Sequence, residues 1–258
     1  MIGFLIKKNF FDLWDNLFRV ALLNLGFIAS LAVPVFIPTL FESVPLFGWL
    51  FLFLGILWCL VYLSAASLCL KSVSDYGGFG FADFFRNIKI GMPLGLVMGL
   101  IIFIAVLLVT VVMNFYLFSM GGLFGLLLAA VIFWTMVVGI LSLQFFFTVR
   151  NRLDTKISKI IRKCFVFFFD NPGFCVFTFF NNLVLFVISV FLAFLFPGPA
   201  GILLFLDEGM RLRLLKYDYL EANPEADRKK IPWDALLIDE RERTGTRSLK
   251  SFIFPWKD

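Results

Sequence analysis

The chain contains five stretches of more than 20 residues that are almost entirely apolar and carry no acid or base in their central part. A membrane-spanning α-helix needs roughly 20 such residues to cross about 30 Å of hydrocarbon. We therefore predict an all-α, polytopic transmembrane helical bundle. Together with a sixth and less apolar stretch, the predicted spans lie near 18–40, 46–70, 92–118, 122–149, 174–196 and 199–219.

The composition agrees with a protein that is surrounded by lipid. Of the 258 residues, 61% are apolar and 16% are charged, whereas soluble domains have roughly 45–50% apolar and about 25% charged residues. Phe accounts for 37 residues. A soluble core cannot bury that much aromatic surface, but a lipid bilayer accepts it without cost.

Lys and Arg residues predict the orientation, because they are enriched in the cytoplasmic loops of membrane proteins. They occur in the N-terminal segment, in the loops 71–91 and 150–173, and from Arg211 onward. The connections 41–45, 119–121 and 197–198 carry none. If 199–219 crosses the membrane, all 23 basic residues lie on the cytoplasmic side. This distribution favours six spans over five and predicts that both termini are cytoplasmic.

Amphipathic segments precede three of the spans. The first, MIGFLIKKNFFDLWDN, predicts an interfacial N-terminal helix rather than a signal peptide. Asn16, Asn87 and Asn171 each lie in an aromatic lead-in of this kind. The pattern is typical of three tandem helical hairpins, and it is equally expected of any Phe-rich protein with interfacial helices.

The chain divides into a transmembrane domain, 1–222, and a charged cytoplasmic tail, 223–258. In the tail, Pro232 predicts the first turn of a helix whose apolar face would contain Trp233, Leu236 and Leu237. We expect the terminal aromatic residues to return to the membrane interface or to dock on a partner protein. They are Phe252, Phe254 and Trp256.

The sixth span holds the candidate binding residues. Asp207 and Glu208 follow the turn at 197–199 by about 15 Å of helix, which predicts a position near the middle of the bilayer. An ionised carboxylate there must face protein or water. Asp207 and Arg211 are spaced i, i+4 on one helix face. The cluster predicts either a substrate-binding cavity that opens to the cytoplasm or an internal ion pair, and a helix that enters the membrane only partway would also satisfy these charges.

Two further sets of residues lie within the spans. The strongest neutral polar side chains are Asn114, Gln144, Asn181 and Asn182. They suit interhelical hydrogen bonds, and Asn181 and Asn182 are also candidates for the substrate-binding cavity. Gly91, Gly95 and Gly99 form a GxxxGxxxG pattern that lets another helix approach closely, within this chain or from a second subunit.

Several functional classes lack the residues that they require. The chain has no His, which excludes Ser-His-Asp, Cys-His and HExxH chemistry. The four Cys residues show no CxxC spacing and fall in or beside apolar spans. We therefore predict no catalytic residue, no metal site, no cofactor and no nucleic acid partner. The partner that we expect is the lipid bilayer.

Four segments carry a resemblance to the YesL family of bacterial membrane proteins. They are NLFRVALLNLGFIASLAVPVFIPT, FADFFRNIKIGMPLGL, FFFTVRNRLDTKISKIIRKCFVFFFDNPGF and PGPAGILLFLDEGMRLRLLKY. The resemblance covers roughly residues 4–220, and Asp207-Glu208 and the tail depart from it. It implies a compact bundle in the bacterial cytoplasmic (inner) membrane and an association with carbohydrate uptake systems.

Three functions are consistent with these features. The first is a non-enzymatic accessory component that assembles with transporter subunits of a carbohydrate transport system. The second is a small-solute permease with a polar cavity at the last span. The third is a membrane enzyme that modifies a lipid. The sequence predicts no particular oligomeric state.

Overall fold

The computed structural model of the protein describes residues 1–41, 43–228, 230–245 and 247. Eleven α-helices make up most of this part of the chain, and it contains no strand. They are α1 (Ile2–Asp15), α2 (Leu17–Phe36), α3 (Pro45–Ser74), α4 (Phe81–Leu107), α5 (Gly122–Leu143), α6 (Phe146–Arg152), α7 (Ile157–Asp170), α8 (Pro172–Phe191), α9 (Gly198–Ala222), α10 (Trp233–Leu236) and α11 (Ile238–Thr244). The predicted all-α class is confirmed.

Five helical segments are long and apolar enough to cross a membrane. They are Leu17–Phe41, Leu46–Ser74, Phe81–Met120, Gly122–Arg152 and Pro172–Phe191. These segments confirm a multi-pass membrane protein. The helix α9 is not among them, because its middle carries Asp207, Glu208, Arg211 and Arg213. A sixth crossing by α9 therefore stays a prediction.

The fourth helix begins earlier than its apolar stretch. An interfacial lead-in separate from the span 92–118 was predicted, but one helical segment covers Phe81–Met120 and ends in wider π-helical turns. The Asp83 carboxylate explains the early start, because it accepts the backbone N–H of Gly80 at 2.9 Å and caps the helix. Gly121 ends the segment with a φ of 61°, a conformation that favours glycine.

The third helix is the centre of the bundle, with α2, α4, α6 and α9 packed around it. Its contact with α4 is close because α4 presents the three glycines of the GxxxGxxxG pattern. A Cβ atom at Gly91 would lie 2.9 Å from Ser64 Oγ, and one at Gly95 would lie 2.6 Å from Val61 Cα. The glycines therefore contact a helix of the same chain.

The first helix runs along α9 in the opposite direction. Positions for a Cβ atom on Gly209 and Gly201 lie 3.5 Å from Leu5 and 3.6 Å from Leu13, respectively. Leu5 is 0% exposed, so the apolar face of this amphipathic helix packs against α9. Its position in the membrane interface stays a prediction.

The buried core lies at one end of the bundle, where α3 ends and α4 begins. We call this the basic end, because the Lys- and Arg-containing loops 71–91 and 150–173 meet there. Phe145, Phe167 and Phe174 form an aromatic contact within this core, with the Phe145 and Phe167 ring centroids 4.8 Å apart. Beyond the core, the apolar helices mostly face outward.

The end of the turn between α8 and α9 packs against α2: Pro197 and Gly198 are buried, whereas Leu195 is exposed. Asn24 in α2 donates from Nδ2 to the carbonyls of Leu195 (3.0 Å) and Pro197 (2.8 Å), and its Oδ1 accepts the N–H of Ala200 (2.9 Å). Asn24 precedes the end of α2 by 12 residues, which is about 18 Å of helix. Asn24 therefore fixes this turn well short of the end of α2, and the predicted outer position of the turn stays a prediction.

Part of the predicted tail belongs to the folded body. Leu237, between α10 and α11, is 0% exposed and joins the core at the basic end. Trp233 packs at the edge of the same core. Phe252, Phe254 and Trp256, which were expected at the membrane interface or on a partner, lie outside the described residues.

Candidate functional site

The two acids predicted for the middle of the last span lie at the basic end. Asp207 is 1% exposed and Glu208 is 0% exposed, so both are closed to solvent. Acids and bases from five parts of the chain surround them and form what we call the charged cluster. Its members are Lys8, Asp12, Asp75, Arg152, Asp207, Glu208, Arg211 and Glu240.

Arg152 of α6 is the partner of Asp207. Its Nε donates to Asp207 Oδ2 at 3.0 Å, and its Nη2 also contacts that oxygen. The same Nη2 donates to Ser74 Oγ at 2.9 Å and Asp75 Oδ1 at 3.0 Å. Asp207 therefore lies level with the last residue of α3. Its predicted position near the middle of the bilayer stays a prediction.

Lys8 of α1 is the charged partner of Glu208. The Lys8 Nζ lies 3.7 Å from Glu208 Oε1 and 2.5 Å from Asp12 Oδ2, and it donates to the carbonyl of Ser74 at 3.3 Å. Within the described part of the chain, neither carboxylate oxygen of Glu208 has a hydrogen-bond donor. Lys8 thus balances two carboxylates at a site without exposed surface.

Arg211 does not pair with Asp207, although their i, i+4 spacing made that pair the expected one. Its Nε and Nη2 donate to Glu240 Oε1 at 2.9 and 2.8 Å, and its Nη1 contacts Asp75 Oδ1. Asp207 is already engaged by Arg152, and α11 and the end of α3 supply carboxylates closer to Arg211. The pairing is therefore between elements rather than within α9.

Tyr76 lies between the cations of the cluster. Its hydroxyl donates to Glu240 Oε2 at 2.7 Å, and its ring centroid lies 4.0 Å from Lys8 Nζ and 5.3 Å from Arg211 Cζ. An aromatic face attracts cations in this geometry. Burial by itself raises the pKa of Glu240, but the hydrogen bonds from Arg211 and Tyr76 hold that pKa below its ordinary value of 4.5.

The ion pairs also shift the pKa values of Lys8 and Asp75. Burial by itself lowers the pKa of the Lys8 ammonium, but the carboxylates of Glu208 and Asp12 raise it above its ordinary value of 10.5. Burial by itself raises the pKa of Asp75, but the charge and hydrogen bond of Arg152 contribute to holding it below 3.8. Lys8 and Asp75 are therefore both charged at neutral pH.

Asn181 and Asn182 are not brought to the charged cluster. Asn182 lines an apolar cavity of about 490 Å³ among α4, α5, α8 and α9, together with Gln144. Asn181 lines a separate cavity of about 260 Å³ that also contains Asn9 of α1. Successive residues of a helix point roughly 100° apart, which separates the two amides. The structure thus divides the predicted substrate-binding set between three places.

Several residues of the cluster were not singled out by sequence reasoning. Lys8 and Arg152 served only as indicators of topology, and Asp75 and Glu240 were given no role. The sequence contained one signal of this cluster, which is the i, i+4 spacing of Lys8 and Asp12 in an amphipathic helix. The structure shows that Lys8 is among the residues that α1 buries. Which acid on another helix Lys8 would meet depends on tertiary packing.

The ion pairs of the charged cluster join α1, α6, α9, α11 and the end of α3. Within the described residues, no three His, Cys, Asp or Glu side chains are placed to hold a metal ion. Comparisons with protein families, with curated proteins and with solved structures give no match to this chain. The resemblance to the YesL family therefore stays a prediction.

Proposed function

We propose that this chain is a non-enzymatic accessory component of a membrane transport system. The observation that carries the proposal is the exposed surface of the α4–α5 hairpin. For each membrane-spanning segment we compare how much of an 18-residue apolar window is buried within the chain. The buried share is 6% in Phe81–Met120 and 11% in Gly122–Arg152, and it is 22–28% in the other three segments. Membrane helices associate through packing and hydrogen bonds. This hairpin has most of its surface left for the helices of a partner.

The state of the charged cluster favours an accessory role over a solute path. Asp207, Arg152 and Arg211 are engaged in ion pairs between elements of the chain, and Asp207 and Glu208 are closed to solvent. A permease needs polar groups that face an accessible cavity. The resemblance to the YesL family points to carbohydrate uptake as the process in which the partner takes part.

The test is to identify what the full chain binds in its membrane. A tag on the C-terminus, extraction with a mild detergent and mass spectrometry would reveal proteins that are recovered at stoichiometric levels. We expect subunits of a transport system among them. A change on the exposed face of α5, Leu127→Trp, should reduce their recovery, because a bulky ring there would obstruct a packed helix.

The matched control is Val184→Trp on α8. Leu127 and Val184 are both 57% exposed, so the two substitutions should perturb lipid contacts to a similar degree. The control should retain the partner. Recovery of the protein alone from both the native chain and the control would count against an accessory role, and equal loss of the partner in both variants would refute the α4–α5 surface as its site.

A small-solute permease is the second candidate, and one observation favours it. Glu208 Oε1 and Oε2 and Asn9 Nδ2 are buried polar atoms without a hydrogen-bond partner in the described part of the chain. Ionisable residues of this kind mark ion and proton paths in many transporters. Purified protein in liposomes should then move a candidate sugar or its protons, and Glu208→Gln or Asp207→Asn should abolish the flux. Liposomes without flux would exclude this function for the solutes tested.

A further inference from the structure

An apolar groove runs along the outside of the bundle near its basic end. It lies between the first half of α2 and the start of α4, and its volume is about 540 Å³. Aromatic and aliphatic side chains make up most of its walls, among them Phe18, Leu22, Leu25, Phe81, Phe84 and Phe85. Several of them are widely exposed, with Phe18 at 77% and Phe81 at 66%.

The floor of the groove is apolar as well. Tyr62 of α3 lies there, but its hydroxyl donates to the carbonyl of Leu23 at 2.8 Å. The Tyr62 hydroxyl therefore offers no free donor to a polar ligand. From Arg19 to Ala29 the groove follows ten residues of α2, which is about 15 Å of helix. Its shape and chemistry suit an extended hydrocarbon chain.

Arg19 is the one charged residue among the lining residues, and it lies toward the basic end of the groove. Its Nη1 donates to Asn16 Oδ1 at 2.9 Å. The guanidinium lies against the glycine-rich loop before α4, where a Cβ atom on Gly78 would come within 3.0 Å of Nη2. The lack of a side chain at Gly78 leaves room for the guanidinium in this position.

Arg19 has no carboxylate partner within the described part of the chain. Asp83, in the first turn of α4, is engaged by Arg86 at 2.7 Å and by the N–H of Gly80 at 2.9 Å. Arg19 therefore presents an exposed positive charge that is not neutralised, at the end of an apolar groove. Guanidinium groups bind phosphate through strong charge-assisted hydrogen bonds.

We infer that this groove binds one acyl chain of an anionic phospholipid and that Arg19 binds its phosphate. The Lys- and Arg-rich end of a membrane protein lies at the level of the lipid headgroups. A phosphate bound there would allow the acyl chain to follow α2 toward Ala29. The lining residues include no carboxylate for the cationic headgroup of phosphatidylcholine, so the site favours an anionic lipid.

The test uses the full chain in nanodiscs with a phosphatidylglycerol that carries a photoactivatable group in its acyl chain. We expect cross-links to concentrate on α2 between Arg19 and Ala29 and on the start of α4. Unlabelled phosphatidylglycerol should compete with the probe, whereas phosphatidylcholine should not. Arg19→Gln should reduce specific labelling about tenfold, because a hydrogen bond between charged groups is lost.

Two further variants keep the result interpretable. Ala29→Trp should fill the groove and reduce the labelling without any change of charge. Arg162→Gln removes a similar charge from an exposed position on α7, outside the groove, and should leave the labelling unchanged. Monodisperse elution of each variant would show that it is folded. Uniform labelling of all apolar helices, equal competition by phosphatidylcholine, or full labelling of Arg19→Gln would overturn the inference.

Discussion

Lys8 is an ammonium group without exposed surface, held between the carboxylates of Asp12 and Glu208. Burying a charge is costly, and ion pairing recovers that cost only where the geometry is good. The removal of one member of such a group leaves the others buried and uncompensated. At the scale of single residues, this group is therefore where a small change should have the largest effect.

We predict that Lys8→Met destabilises the protein by about 3–5 kcal/mol. Methionine keeps most of the volume of lysine, but Asp12 and Glu208 would lose their counter-charge in a closed site. The free energy of unfolding can be measured by titration with sodium dodecyl sulfate in mixed micelles. Adding Glu208→Gln to Lys8→Met should restore much of the loss, because one uncompensated carboxylate is then removed.

The neighbouring residue provides a control for this prediction. Lys7 is partly exposed, and its Nζ donates to the carbonyl of Gly245 at 3.3 Å. Because no carboxylate within the described residues pairs with it, Lys7→Met should change the stability by about 1 kcal/mol or less. Equal effects of the two substitutions would show that the Lys8–Glu208 contact does not stabilise the fold.

At the scale of elements, α11 contributes Glu240 to the charged cluster and packs beside α9 and the end of α3. Glu240 receives hydrogen bonds from Arg211 and Tyr76, and Arg247 pairs with Asp15 of α1 at 2.8 Å. Because Glu240 joins α11 to α9 and to the residue pair that follows α3, the docking of α11 depends on the ionisation of Glu240.

We predict that α11 is released in acid. The folded-state pKa of Glu240 is below its ordinary value of 4.5, so its contribution to docking is complete above pH 4.5 and is lost as the pH falls through the lowered value. Hydrogen exchange of the backbone amides of Ile238–Thr244, corrected for intrinsic rates, should therefore increase below pH 4.5.

Two substitutions in the same helix separate this effect from general acid unfolding. Glu240→Gln should exchange faster at neutral pH and lose most of the added pH dependence. Glu242 is exposed, and Glu242→Gln should behave like the native chain. If Glu240→Gln retains the acid-induced increase in full, another group controls the docking of α11.

At the scale of the whole molecule, the position of the turn between α8 and α9 bears on the topology. The turn lies beside Asn24, about 18 Å of helix before the end of α2. A hairpin that enters from the basic end and returns to it would keep the C-terminus on the same side as six full crossings would. A reporter fused after Asp258 cannot distinguish the two arrangements.

A pair of engineered cysteines can distinguish them. Ser43 precedes α3 at the end opposite the basic end, and Leu195 lies in the turn before α9; both are exposed. We predict that Ser43→Cys reacts with a membrane-impermeant maleimide in intact cells and that Leu195→Cys does not. The four native cysteines are buried and should contribute little background. Equal labelling of both positions would show that α9 crosses the membrane completely.

Two kinds of feature followed correctly from the sequence. The five apolar segments were expected because hydrophobic length is a property of consecutive residues, and each predicted span of this group overlaps an observed one. Their exact ends differed where capping or glycine intervened, as at Asp83 and Gly121. The importance of Asp207 and Glu208 was recognised because charges in an apolar helix require a partner.

The sequence alone determined that this is a membrane protein, that it is helical, and that its basic residues are concentrated in a few segments. Those properties depend on local composition, and no contact between distant residues is needed to read them. Only the tertiary structure decided that Lys8 meets Glu208, that Arg152 meets Asp207, and that Asn24 fixes the turn before α9 well short of the end of α2. Several cations were equally suitable partners by charge, and the choice depends on the rotation and level at which the helices pack.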